Sequence, residues 1–324
     1  MAWHVFATLG STLLLVLVVL AAPAVAAPTS PSVIATIRVG RSPDGVAVNP
    51  RTAHAFVTNL GDSTISKIDE TSQQVVRTFR GVTDPAPIAV NHLTNRLYVG
   101  SPDYATVSVL EGHSGQVLTT IPVAYPSAIA VNPKTNRVYV GTGDGNVVVI
   151  DGTTNQVLAT VPTGSGVYLG IFGIGVNPRT NRIYAANHET GNVYVLDGAT
   201  NQVIATIASG ERFEGLGVNP RTNRVYVASL ADVTVIDGAS NQILATIRAG
   251  YTPTGVAGNE FTNRIYVTNY DSDSVSIIDG ATNRVTATVK VGDGPQGIAA
   301  DQQRNLVYVA NTYSNTVSVI QDMP

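Results

Sequence analysis

The chain has 324 residues, 44% of them hydrophobic and 13% charged, with 30 glycines. That composition supports a large core and excludes disorder as the main state, while a formal net charge of −3 argues against a protein that grips nucleic acid or anionic membrane by bulk charge. Cysteine is absent, which removes disulfides, thiolate metal sites, cysteine nucleophiles and cysteine-linked haem or lipid together.

The first charged residue other than the terminal amine is Arg38. Before it, Leu13 to Ala22 is a dense apolar run followed by Pro23-Ala24-Val25-Ala26-Ala27. An apolar run ending in small residues of A-x-A form predicts a signal peptide over 1–26, cleaved before Ala27. The n-region has no Lys or Arg, and the alternative is an uncleaved anchor over Val5–Ala22. Residues 27–31 read as a linker, and 32–324 as one folded unit outside the cytoplasm, with no membrane span once the signal is removed.

That unit is a repeat. An aromatic recurs at Phe56, Tyr98, Tyr139, Tyr184, Tyr226, Tyr266 and Tyr308, with gaps of 42, 41, 45, 42, 40 and 42 residues. A period of about 40–45 with four strands per unit predicts a β-propeller of seven blades. In the third unit strand a is Ala128–Val131, b is Arg137–Val140, c is Asn146–Ile150 and d is Gln156–Val161. All are rich in β-branched residues and bounded by Asn-Pro and Asp-Gly turns. The middle of strand a is Ala47, Ala89, Ala130, Gly175, Gly217, Ala257 or Ala299, small at each copy, as seven strands converging on one channel require. The last unit stops after its third strand, whereas Val33–Val39 matches a fourth strand. The expected fold is therefore all-β, seven blades of four antiparallel strands, closed by the N-terminal strand pairing into the C-terminal blade.

The repeats Phe56-Val57-Thr58-Asn59, Tyr226-Val227-Ala228-Ser229, Tyr266-Val267-Thr268-Asn269 and Tyr308-Val309-Ala310-Asn311, with their N-P-x-T-N-R and I-D-G-x-T-N-Q turns, resemble the YVTN-repeat β-propellers. The resemblance covers residues 32–321 and implies a seven-bladed, often exported, surface or periplasmic protein of bacteria or archaea. It implies no single activity, since the wider group holds nucleic-acid binders, dehydrogenase subunits, lactonases and streptogramin-lyase-like enzymes.

In such propellers the d-to-a and b-to-c loops share a top face and the turns of the other end repeat monotonously. The bottom turns mix Arg with Asp and Glu, and are read as a rim of exposed ion pairs. The top loops vary and are acidic, with interleaved aromatics, as contact surfaces are. The ligand-binding candidates are Arg41, Asp103, Tyr104, Tyr125, Tyr168, Phe172, His188, Glu189, Arg212, Phe213, Tyr251, Tyr270, Asp271 and Tyr313. The longest top loop is Pro162–Phe172, whose Gly-rich start lacks the G-x-x-x-x-G-K-[ST] of a phosphate loop.

No catalytic set is assigned. Of five histidines, His4 lies in the signal, His54, His92 and His113 map to the bottom, and His188 alone reaches the top. No metal site and no cofactor is expected; a divalent cation is the one candidate, with Asp271-Ser272-Asp273 lacking the Gly and later Glu of an EF-hand loop. The favoured expectation is a monomeric, non-catalytic binding module presenting its acidic, aromatic top face to a protein, a glycan or a small cationic ligand. The alternatives are a metal-dependent lyase or lactonase using His188 with top carboxylates, and, not expected on an acidic face, a nucleic-acid binder.

Overall fold

The computed structural model describes residues 1, 30–164, 170–209 and 212–322. The signal-peptide and linker assignments, except Met1, Ser30 and Pro31, and the candidate Tyr168 lie outside the described residues. Among the described residues twenty-eight strands, numbered along the chain, form seven four-stranded antiparallel sheets. Their innermost strands are β2 (Pro43–Asn49), β6 (Ile88–Asn91), β10 (Pro126–Asn132), β14 (Ile171–Asn177), β18 (Phe213–Asn219), β22 (Pro253–Asn259) and β26 (Pro295–Asp301). Each packs on the next and β26 returns to β2, closing the ring. Among the described residues the helical segments are single 3-10 turns, such as Leu60–Asp62 and Pro102–Tyr104, and no helix is long and apolar enough to cross a membrane.

The seam lies where the repeat count predicts it. β1 (Ser32–Arg38) pairs antiparallel with β28 (Thr316–Gln321), with Ile37 opposite Val317 and Val33 opposite Ile320. The seventh blade thus joins both ends of the chain, and Ile37 packs in the same cluster as Tyr308, Val317 and Val319. Within each blade the second and third strands form the core. Phe56 and the six repeat tyrosines are fully buried between neighbouring sheets; truncating an aromatic of this kind costs about 3–5 kcal/mol.

The repeated turns form two rings of blade-to-blade contacts at the bottom. Asn49, Asn91, Asn132, Asn177, Asn219 and Asn259 each donate from Nδ2 to an Asn Oδ1 in the next blade, at 2.7–2.9 Å. The accepting residues, from Asn95 to Asn305, all take φ of +52 to +55°, the left-handed region Asn tolerates best after Gly. The arginines differ from expectation. Arg96, Arg137, Arg182 and Arg224 donate to the carbonyls of Gly152, Gly198, Gly238 and Gly280 in the following blade rather than to carboxylates. Asp151, Asp197, Asp237 and Asp279 instead accept backbone N–H groups of their own turns, which holds their carboxyls below the usual range. In these four blades a fixed fork reaching a neighbouring carbonyl thus takes the place of an exposed ion pair, whereas Arg179 pairs with Glu260 at 3.0 Å, Arg264 with Asp322, and Arg304 with Asp301 at 2.7 Å.

Candidate functional site

Six of the seven inner strands carry a β-bulge near their top ends, marked by register shifts in β2, β10, β14, β18, β22 and β26. A bulge leaves a residue without a direct partner and re-aims its side chain. The bulged positions are Asp44, Ser127, Phe172, Glu214, Thr254 and Gln296, with Ala86 equivalent in the second blade. All seven stand three residues ahead of the small residue in mid-strand. They form the rim of an axial cup of about 750 Å³. Two residues further along each strand come Val46, Ile88, Ile129, Ile174, Leu216, Val256 and Ile298, an aliphatic collar beneath the rim. Adjacent bulges pack tightly: a Cβ on Gly215 would overlap the Thr254 carbonyl, and one on Gly297 the Asp44 carbonyl. Glycine at these two positions is what lets the strands converge.

The cup is acidic. Asp44, Asp103 and Glu214 line it, and no lysine or arginine is in its lining among the described residues. Asp44 is walled in by protein while keeping a partial opening to channel water. Burial, with the Asp84 charge behind it, pushes its carboxyl up to about 6. Asp84 is itself raised by burial and by Asp103. Three acids therefore crowd the wall formed by the first two blades. On the far side Glu214 is raised by burial, with His188 and Arg212 opposing the shift. His188 Nδ1 lies 3.0 Å from the Phe213 carbonyl and 3.3 Å from Glu214 Oε1. Since a carbonyl only accepts, Nδ1 carries the proton. The Phe172 ring packs against the His188 ring, 5.1 Å between centroids and tilted by 52°. The rim hydroxyls are engaged within the ring, Ser127 Oγ donating to the Ile171 carbonyl at 2.5 Å and Thr254 Oγ1 lying 3.0 Å from Thr268 Oγ1.

Of the residues selected by sequence, Asp103, Tyr125 and Phe172 line the cup, and His188 stands behind it, 8% exposed. Arg212 is exposed beside Glu214. Arg41 pairs with Asp62 at 2.5 Å, and Glu189 is exposed on the loop after β15 (Arg182–Asn187). Tyr104, Tyr251 and Tyr313 are exposed but do not line the cup. The Tyr270 hydroxyl lies 2.6 Å from that of Tyr313, a contact that with burial raises it to about 12, and Asp271 accepts from Thr252 nearby. Phe213 is a correction: it is fully buried in the core shared with Tyr184, Val195 and Val225. It occupies the first position of its inner strand, where other blades bury Pro43, Ile171 or Pro253. That alignment was visible in the sequence and marks a core plug rather than a contact residue. Asp44, Glu214, Ser127, Thr254 and Gln296 were not selected, though their fixed offset from the small strand residue would have found them.

No family model and no curated protein matches the chain. Among solved structures, a chain of hydrazine synthase from Kuenenia stuttgartiensis superposes with a TM-score of 0.78, covering 86% of this chain and 95% of that chain at 19% identity. At that identity the likeness concerns the propeller fold alone.

Proposed function

We propose that this chain is an exported, non-catalytic member of the YVTN-repeat propellers, a monomer whose acidic and aromatic top face seats a ligand in the axial cup. The observation that carries the reading is the cup itself: about 750 Å³, rimmed by seven different side chains on an otherwise repetitive scaffold. Its size falls within the range of ordinary ligand sites, about 300–1,000 Å³. The repeat motifs support the family, and the A-x-A run after Leu13–Ala22 supports export. Arg96, Arg137, Arg182 and Arg224 are spent on glycine carbonyls and Arg179, Arg264 and Arg304 on carboxylates, which weighs against nucleic acid on that face. A thermal-shift screen of amines, glycans, peptides and divalent ions tests the reading, run on the wild type and on Ala86→Phe, which fills the mouth. Stabilisation confined to the wild type is expected. Stabilisation that survives the filled mouth would place the site elsewhere.

A second reading, a metal-dependent lyase or lactonase, draws on one contact. With Nδ1 of His188 committed to Phe213 and Glu214, its Nε2 is left with a lone pair for a metal or a proton. Stabilisation by Mg²⁺ or Ca²⁺ that His188→Ala abolishes would favour it.

A further inference from the structure

We propose that the ligand seated in the cup is an organic ammonium ion with an apolar body, its charged end against Asp44 and its body against the aliphatic collar. The inference rests on the cup being the ligand seat, and it follows from how charge and apolar surface are distributed there. Asp44 and Asp103 both line the cup, the Asp84 charge bears on Asp44, and no cation stands among the groups that shift either Asp44 or Asp84. Asp44 and Asp84, crowded without a base, hold their charge at a cost, which a bound cation relieves. The opposite wall differs, because Glu214 already has His188 at 3.3 Å. The charged end therefore belongs on the side of the first two blades. Tyr125 and Phe172, on the third and fourth blades, add aromatic faces that favour a cation over a neutral group.

The other ligand classes fit the same surfaces less well. A calcium ion takes about six to eight oxygens, yet the rim hydroxyls of Ser127 and Thr254 are engaged inside the ring and the collar offers only methyl groups. A glycan would bring hydroxyls against seven aliphatic side chains that cannot bond them. An anion would meet three carboxylates.

Calorimetric titration of the mature protein with 4-phenylbutylammonium, 4-phenylbutanol and 5-phenylpentanoate tests the proposal. The ammonium ion should bind at least about tenfold more tightly than the alcohol, the carboxylate should not bind, and Asp44→Asn should erase the preference while leaving the alcohol's affinity unchanged. Because Asp44 is partly enclosed, the exposed Asp103→Asn provides a second variant that leaves the core untouched and should weaken the ammonium ion by a smaller factor. Equal affinity for ammonium ion and alcohol, or a preference that survives both variants, overturns the proposal and leaves the cup a ligand seat. Ca²⁺ that displaces the ammonium ion at lower concentration also overturns it, in favour of a metal. If none of the three probes binds the wild type, the ammonium proposal falls, while the wider screen against Ala86→Phe decides the binding reading by itself.

Discussion

Glu70 and Asp301 meet as two buried carboxyl groups where the seventh blade joins the first. Glu70 is 3% exposed and Asp301 fully buried. Asp301 occupies the inner-strand position held by asparagine in the other six blades, and Ala53 replaces the asparagine that should receive its bond. The Asn-to-Asn ring is thus broken once, at the joint where the chain begins its first blade, and a carboxyl pair fills the gap. Arg304 closes over it, 2.7 Å from Asp301 and 3.5 Å from Glu70. Burial and the hydrogen bond to Asp301 raise Glu70 to about 9, so it is the protonated partner. For Asp301 burial opposes ionisation, but the bonds from Glu70 and Arg304 outweigh it and hold the group low.

This pair makes the fold's stability depend on pH. Glu70 titrates higher in the folded chain than its ordinary 4.5, so its contribution is complete below that pH and drains away as pH climbs toward about 9. The loss runs at about 1.4 kcal/mol per pH unit across that window. Glu70→Gln, which keeps a donor for Asp301 and cannot ionise, should be little changed at pH 4.5 and more stable than wild type at pH 8. Parallel melting curves from pH 4.5 to 9 check it; equal slopes for both proteins would contradict the shared proton.

Asp44 has the same sign for a different reason. Its carboxyl is raised to about 6 by burial in the cup, with the Asp84 charge adding to it, and by no shared proton. Its stabilising contribution is complete below about 3.8 and lost as pH rises through 6. Asp44→Asn should therefore stabilise the unliganded protein by about 1–3 kcal/mol at pH 8 and by nothing at pH 3.5, measured by urea unfolding. Retaining a destabilising acid at the rim is what a binding site does and a structural rim does not.

The inner strands predict a contrast between two glycines. In Gly215→Ala the new methyl would overlap the Thr254 carbonyl, whereas in Gly258→Ala it meets Ile265 at 3.3 Å and nothing closer. The first should lose about 2–4 kcal/mol, and the second less than about 1. Equal losses in denaturant unfolding would mean that the blades do not converge through their bulges.

Closure through β1 can be tested by truncation. Deleting residues 32–38 strips the outer strand from the seventh blade, removes Ile37 from its cluster and opens the β28 edge. The melting temperature should fall by about 10 °C or more and the protein should aggregate. Unchanged melting and solubility would exclude the seam.

Much of this was legible in the sequence, and the reason is repetition. Seven copies of an aromatic at a fixed spacing, with a small residue in each inner strand, leave one architecture and one place for the seam. The cup was less legible. Asp44 and Glu214 look like two more loop acids until bulges at Pro43/Val46 and Phe213/Gly215 turn them toward the axis. Phe213 misled in the opposite direction, since an aromatic between Arg212 and Glu214 reads as exposed while its strand position buries it. Arg96, Arg137, Arg182 and Arg224 misled because sequence shows charges and not carbonyls, and their acceptor is the glycine carbonyl of the next blade.

The claim that the axial cup is the ligand seat is tested most directly by crystals of the protein soaked with 4-phenylbutylammonium at pH 7.5. The account predicts density in the cup, the nitrogen within hydrogen-bond reach of the Asp44 carboxylate and the ring against Ile129, Ile174 and Leu216. Density on the exposed tyrosines Tyr251 and Tyr313, or among the bottom turns, with only water in the cup, would contradict it.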